Sequence, residues 1–140
     1  MKKVIFLSLF VILSLFGHKT LGQINLDSLD KICSSFIKYP YIPEGQEFRA
    51  FVINGETAEF YYTFYGGAVY RLVFCSSVPN KSPIFRIYDS NHKLIFSSEY
   101  YNNPKYWDLK FTSTIEAVIE AELPETDLPS AVITLLIGFK

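Results

Sequence analysis

The chain has 140 residues, 49% hydrophobic, 17% aromatic and 19% charged, with a formal net charge of −1. That apolar content excludes a disordered chain, and the scarcity of charged helical repeats excludes a coiled coil. A charge near zero lacks the basic footprint of a dedicated nucleic-acid binder.

Met1-Lys2-Lys3 is a positive start, and Val4 to Phe16 is an apolar run broken only by Ser8 and Ser14. His18-Lys19-Thr20-Leu21-Gly22 then turns polar and ends in a small residue. This is the order of a secretory signal peptide over residues 1–22, with cleavage leaving Gln23 first. Thirteen residues span roughly 20 Å, too short for a hydrocarbon core of about 30 Å, so no membrane span is expected after cleavage. The leader holds three of the 13 basic residues and no acid. The mature chain therefore carries ten basic and fourteen acidic side chains, a formal charge of −4. Binding to nucleic acid is disfavoured further.

Residues 23–45 read as a helix and a turn. Leu26, Leu29, Ile32, Cys33, Phe36 and Ile37 recur at three- and four-residue spacing and form one apolar stripe. Asp27 and Asp30 sit where a cap and a first-turn acid belong. Tyr39-Pro40 stops the helix and Pro43-Glu44-Gly45 reads as a turn.

From Phe48 the apolar period changes from about 3.6 to 2. Ala58, Phe60, Tyr62 and Phe64 alternate with Glu59, Tyr61 and Thr63; later segments repeat the pattern around Leu72, Leu109, Ile119 and Leu135. The expected strands cover residues 47–53, 57–65, 69–77, 83–89, 93–98, 106–112, 114–122 and 130–139. Asn54-Gly55 and Gly66-Gly67 supply the positive φ of tight hairpins. Eight short strands with no helices between them predict an all-β fold over residues 46–140: an antiparallel sandwich, jelly-roll-like, preceded by one short helix.

Only two cysteines occur, Cys33 on the helix stripe and Cys75 on the Val73 side of its strand, away from Leu72 and Phe74. Export would put them where disulfides persist. A bond between them would fasten the helix to the outside of one sheet and close a loop of about 43 residues, contributing roughly 4 kcal/mol in the chain-entropy model.

Catalytic constellations are sparse. The mature chain has one histidine, His92, in a turn with Asp89, which is too local for a triad. His and Cys are too few and too scattered for a structural zinc site, and no cofactor is called for. Glu116, Glu120 and Glu122 share the wet face of one strand, and Asp89-Ser90-Asn91 is a turn too short for an EF-hand loop. Asn80-Lys81-Ser82 matches the N-glycosylation acceptor pattern.

The aromatic surplus is the feature able to carry function. Tyr61 and Tyr65 point away from the Phe60/Phe64 face, while Tyr100, Tyr101 and Tyr106 crowd a segment with Asn102, Asn103 and Pro104. Flat rings with polar tips stack on sugars or grip peptides. Tyr100, Tyr101, Tyr106 and Trp107 are the candidate ligand-binding residues, with Trp107 the one most suited to a core position.

The run Tyr70-Arg71-Leu72-Val73-Phe74-Cys75, then Ile87-Tyr88-Asp89, Leu94-Ile95-Phe96 and Tyr106-Trp107-Asp108, resembles a group of small exported bacterial proteins, β-sandwiches of unassigned function. The order of strands and turns over residues 46–139 is also similar, more loosely, to pre-peptidase C-terminal domains, jelly-roll-like accessory modules of secreted enzymes. The resemblance brings no catalytic residue. The expectation is an exported, non-enzymatic binding or structural protein of a Gram-negative cell envelope, periplasmic or extracellular, whose partner is an envelope protein or glycan. A carbohydrate-binding module is the alternative; a small hydrolase and a small outer-membrane barrel stand behind it.

Overall fold

The computed structural model describes residues 25–140. The signal-peptide segment, residues 1–22, lies outside the described residues. A helix, α1 (Leu26–Ser34), precedes eight strands: β1 (Ile42–Ile53), β2 (Thr57–Phe64), β3 (Val69–Ser76), β4 (Ile84–Asp89), β5 (Leu94–Ser97), β6 (Tyr106–Lys110), β7 (Ile115–Glu122) and β8 (Ser130–Phe139). One 3-10 turn, Ser98–Tyr101, links β5 to β6.

The strands form two four-stranded antiparallel sheets, ordered β1-β8-β3-β6 and β2-β7-β4-β5. The pairs β4–β5, β3–β6, β2–β7 and β1–β8 nest inside one another, the pattern of a jelly roll. The expected sandwich is therefore the observed one. Each sheet ends in two edge strands, so the fold is not a barrel, and the outer-membrane barrel reading is excluded.

The alternation of side chains builds the core. Phe60 and Phe64 of β2, Phe85 and Ile87 of β4 and Ile119 of β7 face Leu72 and Phe74 of β3 and Ile133, Leu135 and Ile137 of β8. Phe85 is fully buried, its ring stacked 3.9 Å from Phe74 and 5.4 Å from Phe96.

Four expectations are corrected. Asn54-Gly55 and Gly66-Gly67 do make turns with positive φ at Gly55 and Gly67, but they carry the chain from one sheet to the other; β4–β5 is the only pair of consecutive strands that is hydrogen-bonded. Pro43-Glu44-Gly45 is no turn: β1 starts at Ile42, opposite Phe139, and absorbs these residues in a register shift between Pro43 and Glu47. Gly45 there has φ 92°, and a proline is tolerated because β1 is an edge strand. The helix is capped by Asn25, whose Oδ1 accepts from the Ser28 N–H at 3.1 Å, not by an aspartate. It ends at Ser34, earlier than the stripe implies, yet Phe36 and Ile37 still pack on the sheet.

Truncating Phe85 to Ala removes one ring of the central stack and should cost about 3–5 kcal/mol, a large share of a small domain's stability. A urea unfolding midpoint close to that of the parent protein would show that the stack is not central.

Candidate functional site

The two outer faces of the sandwich are dressed differently. On the first sheet, α1 lies across β3 and β8, with Leu29 and Cys33 buried against Val73, Cys75 and Val132. Cys33 and Cys75 are joined in a disulfide, with Cα atoms 5.8 Å apart. The bond was legible from the sequence because position 75 has the parity of the outer face. It belongs to an oxidising compartment outside the cytoplasm.

A second fastening lies at the foot of the helix. Arg71 of β3 donates to both carboxylate oxygens of Asp108 on β6, at 2.7 and 2.8 Å, and to the Phe36 carbonyl at 3.1 Å. Its guanidinium lies between two rings, 4.2 Å from Tyr41 and 4.3 Å from Tyr106. The hydrogen bonds from Arg71 hold the Asp108 carboxyl below its ordinary range, helped by Tyr41. Burial and the neighbouring Asp108 push the Tyr41 hydroxyl up. An apolar groove of about 660 Å³ follows the seam between α1 and residues 76–82.

The structure divides the predicted aromatic set. Tyr106 and Trp107 are consecutive on β6 and so point to opposite faces. Tyr106 joins the Arg71 clasp and lies 5.8 Å from Phe36. Trp107 is half-buried on the core, 5.3 Å from Phe96. Tyr101 stacks on Phe96 at 5.5 Å and lies tilted against Trp107 at 4.4 Å, closing the corner of the sandwich. Tyr100 is 75% exposed. The four residues are therefore neighbours in the chain without forming one platform.

Among the described residues, no α-helix lies on the outer face of the second sheet. Register places Tyr61, Val118 and Tyr88 in one row across β2, β7 and β4, and Glu59, Glu120 and Arg86 in the next. Arg86 is bound to Glu99 at 2.8 Å and Glu122 at 3.0 Å, which pins the 3-10 turn to the sheet. The Tyr61 hydroxyl donates to Glu59 at 2.9 Å, and that bond raises its pKa.

Beside the β2 edge this face runs into a cleft of about 570 Å³. Glu44 and Gln46, from the irregular start of β1, form one wall; Tyr61, Tyr65 and Glu116 form the other. Tyr62 lies beneath, its ring edge-on to Phe48, Phe64 and Tyr70. Burial, with Glu44 next in weight, pushes the Tyr62 hydroxyl up to about 12. The Tyr65 N–H donates to the Tyr70 hydroxyl at 2.9 Å, and the Glu44 carboxylate accepts from the Gln46 N–H at 3.1 Å. The outward direction of Tyr61 and Tyr65 was readable from alternation. Glu44 and Gln46 were missed because nothing in sequence spacing brings β1 beside β2 of the opposite sheet.

His92 is exposed in the β4–β5 hairpin and stacks on Tyr88 at 4.6 Å. Asp89 is occupied by the backbone N–H groups of Asn91 and Lys93, each at 2.9 Å. Among the described residues, no group of three His, Cys, Asp or Glu is placed to hold a metal, and no helix is long and apolar enough to cross a membrane. No protein-family model matches the chain, and no curated protein matches it.

Two outcomes follow from the clasp and the staple. Asp108 has a lowered folded pKa, so its stabilisation is present above the unfolded value of about 4 and is lost as pH falls through the folded one. Arg71→Met should cost about 1–2 kcal/mol at neutral pH and flatten the acid limb of the urea midpoint against pH. An unchanged acid limb would separate Asp108 from Arg71. Replacing both cysteines by Ala should cost about 2–4 kcal/mol, and the parent protein, denatured without reductant, should titrate no free thiol.

Proposed function

We propose that this chain is an exported, non-enzymatic binding protein of a Gram-negative cell envelope, periplasmic or extracellular, which meets its partner through tyrosines of the second sheet. The observation that carries this reading is the unequal dressing of the sandwich. The chain uses a disulfide, an ion pair and a helix to cover the β3–β8 part of one outer face. Among the described residues no helix covers the other, which presents Tyr61, Tyr88 and several carboxylates on hydrogen-bonded strands. Rigid presentation lowers the entropy cost of binding.

The leader pattern of residues 1–22 supports export, and the disulfide agrees with it. Two further observations support a binding role over hydrolysis. His92 stacks on Tyr88 in the same tight turn as Asp89 and Ser90, too local for a triad, and Asp89 is spent on backbone N–H groups.

Produced with its leader in a Gram-negative host, the protein should be recovered outside the cytoplasm as a species starting at Gln23. The mature protein should co-sediment with isolated envelope fragments, and Tyr61→Ala should lower the sedimented fraction without moving the unfolding midpoint. Recovery as a full-length cytoplasmic protein, or sedimentation indifferent to Tyr61, would overturn the proposal.

A further inference from the structure

We infer that the cleft beside β2 is a saccharide-binding site that takes a neutral sugar chain; this deepens the binding-protein reading and rests on it. The cleft's volume, about 570 Å³, lies within the range of small-ligand sites. Its two exposed rings, Tyr61 and Tyr65, are 68% and 63% accessible. A sugar ring has one face of C–H groups and a rim of hydroxyls. The negative face of a tyrosine ring attracts polarised C–H groups, and its hydroxyl meets the rim. Carboxylates accept two hydroxyls each, and an amide both donates and accepts. Glu44, Glu116 and Gln46 supply those groups in the walls.

The lining also excludes the competing ligand classes. No Lys or Arg lines the cleft, so a phosphate, sulfate or uronate would face two carboxylates without a counter-charge. Of the lining residues only Ala117 and Val118 are aliphatic. A lipid tail or apolar peptide would strip water from the carboxylates and the amide and return no hydrogen bond.

The site is set before any ligand arrives. The hydroxyl of Tyr61 is tied to Glu59, the backbone of Tyr65 to Tyr70, and the carboxylate of Glu44 to the Gln46 N–H. Tyr62 forms a floor locked among Phe48, Phe64 and Tyr70. The register shift in β1 between Pro43 and Glu47 is what brings Glu44 and Gln46 to the wall, a use of irregular strands common at binding sites.

The test is a printed array of neutral polysaccharides and muropeptide fragments, read with mature protein and with variants matched for unfolding midpoint. At least one neutral glycan should be retained at both 0.05 and about 0.5 M salt, because no ion pair drives the contact. Tyr61→Ala and Tyr65→Ala should each weaken it by roughly tenfold, with Tyr100→Ala unchanged. Retention lost with Tyr100→Ala and Tyr101→Ala, but not with the cleft variants, overturns the cleft and leaves the binding-protein reading standing. No glycan retained, while Tyr61-dependent sedimentation with envelope fragments persists, overturns the saccharide and leaves that reading standing too. Retention only of lysine-rich peptides printed on the same array as a cationic control, abolished by salt, assigns the carboxylates to a cationic partner and overturns the inference.

Discussion

The fold depends on the pairing of the first strand with the last. β8 is hydrogen-bonded to β1 on one side and β3 on the other, and its Ile133, Leu135 and Ile137 are fully buried between the sheets. Every pair except β4–β5 joins strands distant in sequence, so chain entropy is spent before most contacts form. Cross-linking Cys33 to Cys75, 42 residues apart, removes part of that entropy from the unfolded chain, and does so between the helix and the strand that neighbours β8.

The same staple explains how so short a helix persists. Nine residues are marginal as an isolated helix in water. Here one face is buried on Val73, Val132 and the disulfide, Asn25 caps the start, Asp30 meets Arg49 at 2.6 Å, and Arg71 donates to the Phe36 carbonyl beyond the end. Gly138 permits this approach: a Cβ there would stand 2.9 Å from Ile37 Cγ2. Helix and first sheet thus form one layered unit. Among the described residues, the second sheet gains nothing comparable on its outer side.

The strands were legible because period-two alternation reports burial directly, and the eight expected segments fall on the eight observed. Strand partners were not legible in the same way. Asn54-Gly55 and Gly66-Gly67 announce a backbone with positive φ, which a sheet-to-sheet crossing needs as much as a hairpin does. Parity also fixed which way Cys75, Tyr61 and Tyr65 point, since a side chain's face is a local property. Clustering in the chain was a poor guide to clustering in space: the pleat sends Tyr106 to the Arg71 clasp and Trp107 to the core. The cleft draws Gln46 and Tyr61 from strands of different sheets, a proximity that only the wrapped topology creates.

The open face carries a feature that stability alone does not account for. Glu59 stands directly opposite Glu120 across β2 and β7, and like charges in that position are unfavourable by about 0.2–1 kcal/mol. Arg86, next in the row, is held by Glu99 and Glu122, so it does not serve as the dedicated partner of either. The Tyr61 hydroxyl donates to Glu59, which relieves the carboxylate and at the same time fixes the ring at the mouth of the cleft. The arrangement holds a ring in position with oxygen acceptors beside it, and its cost is borne by a sandwich already fastened on its other side.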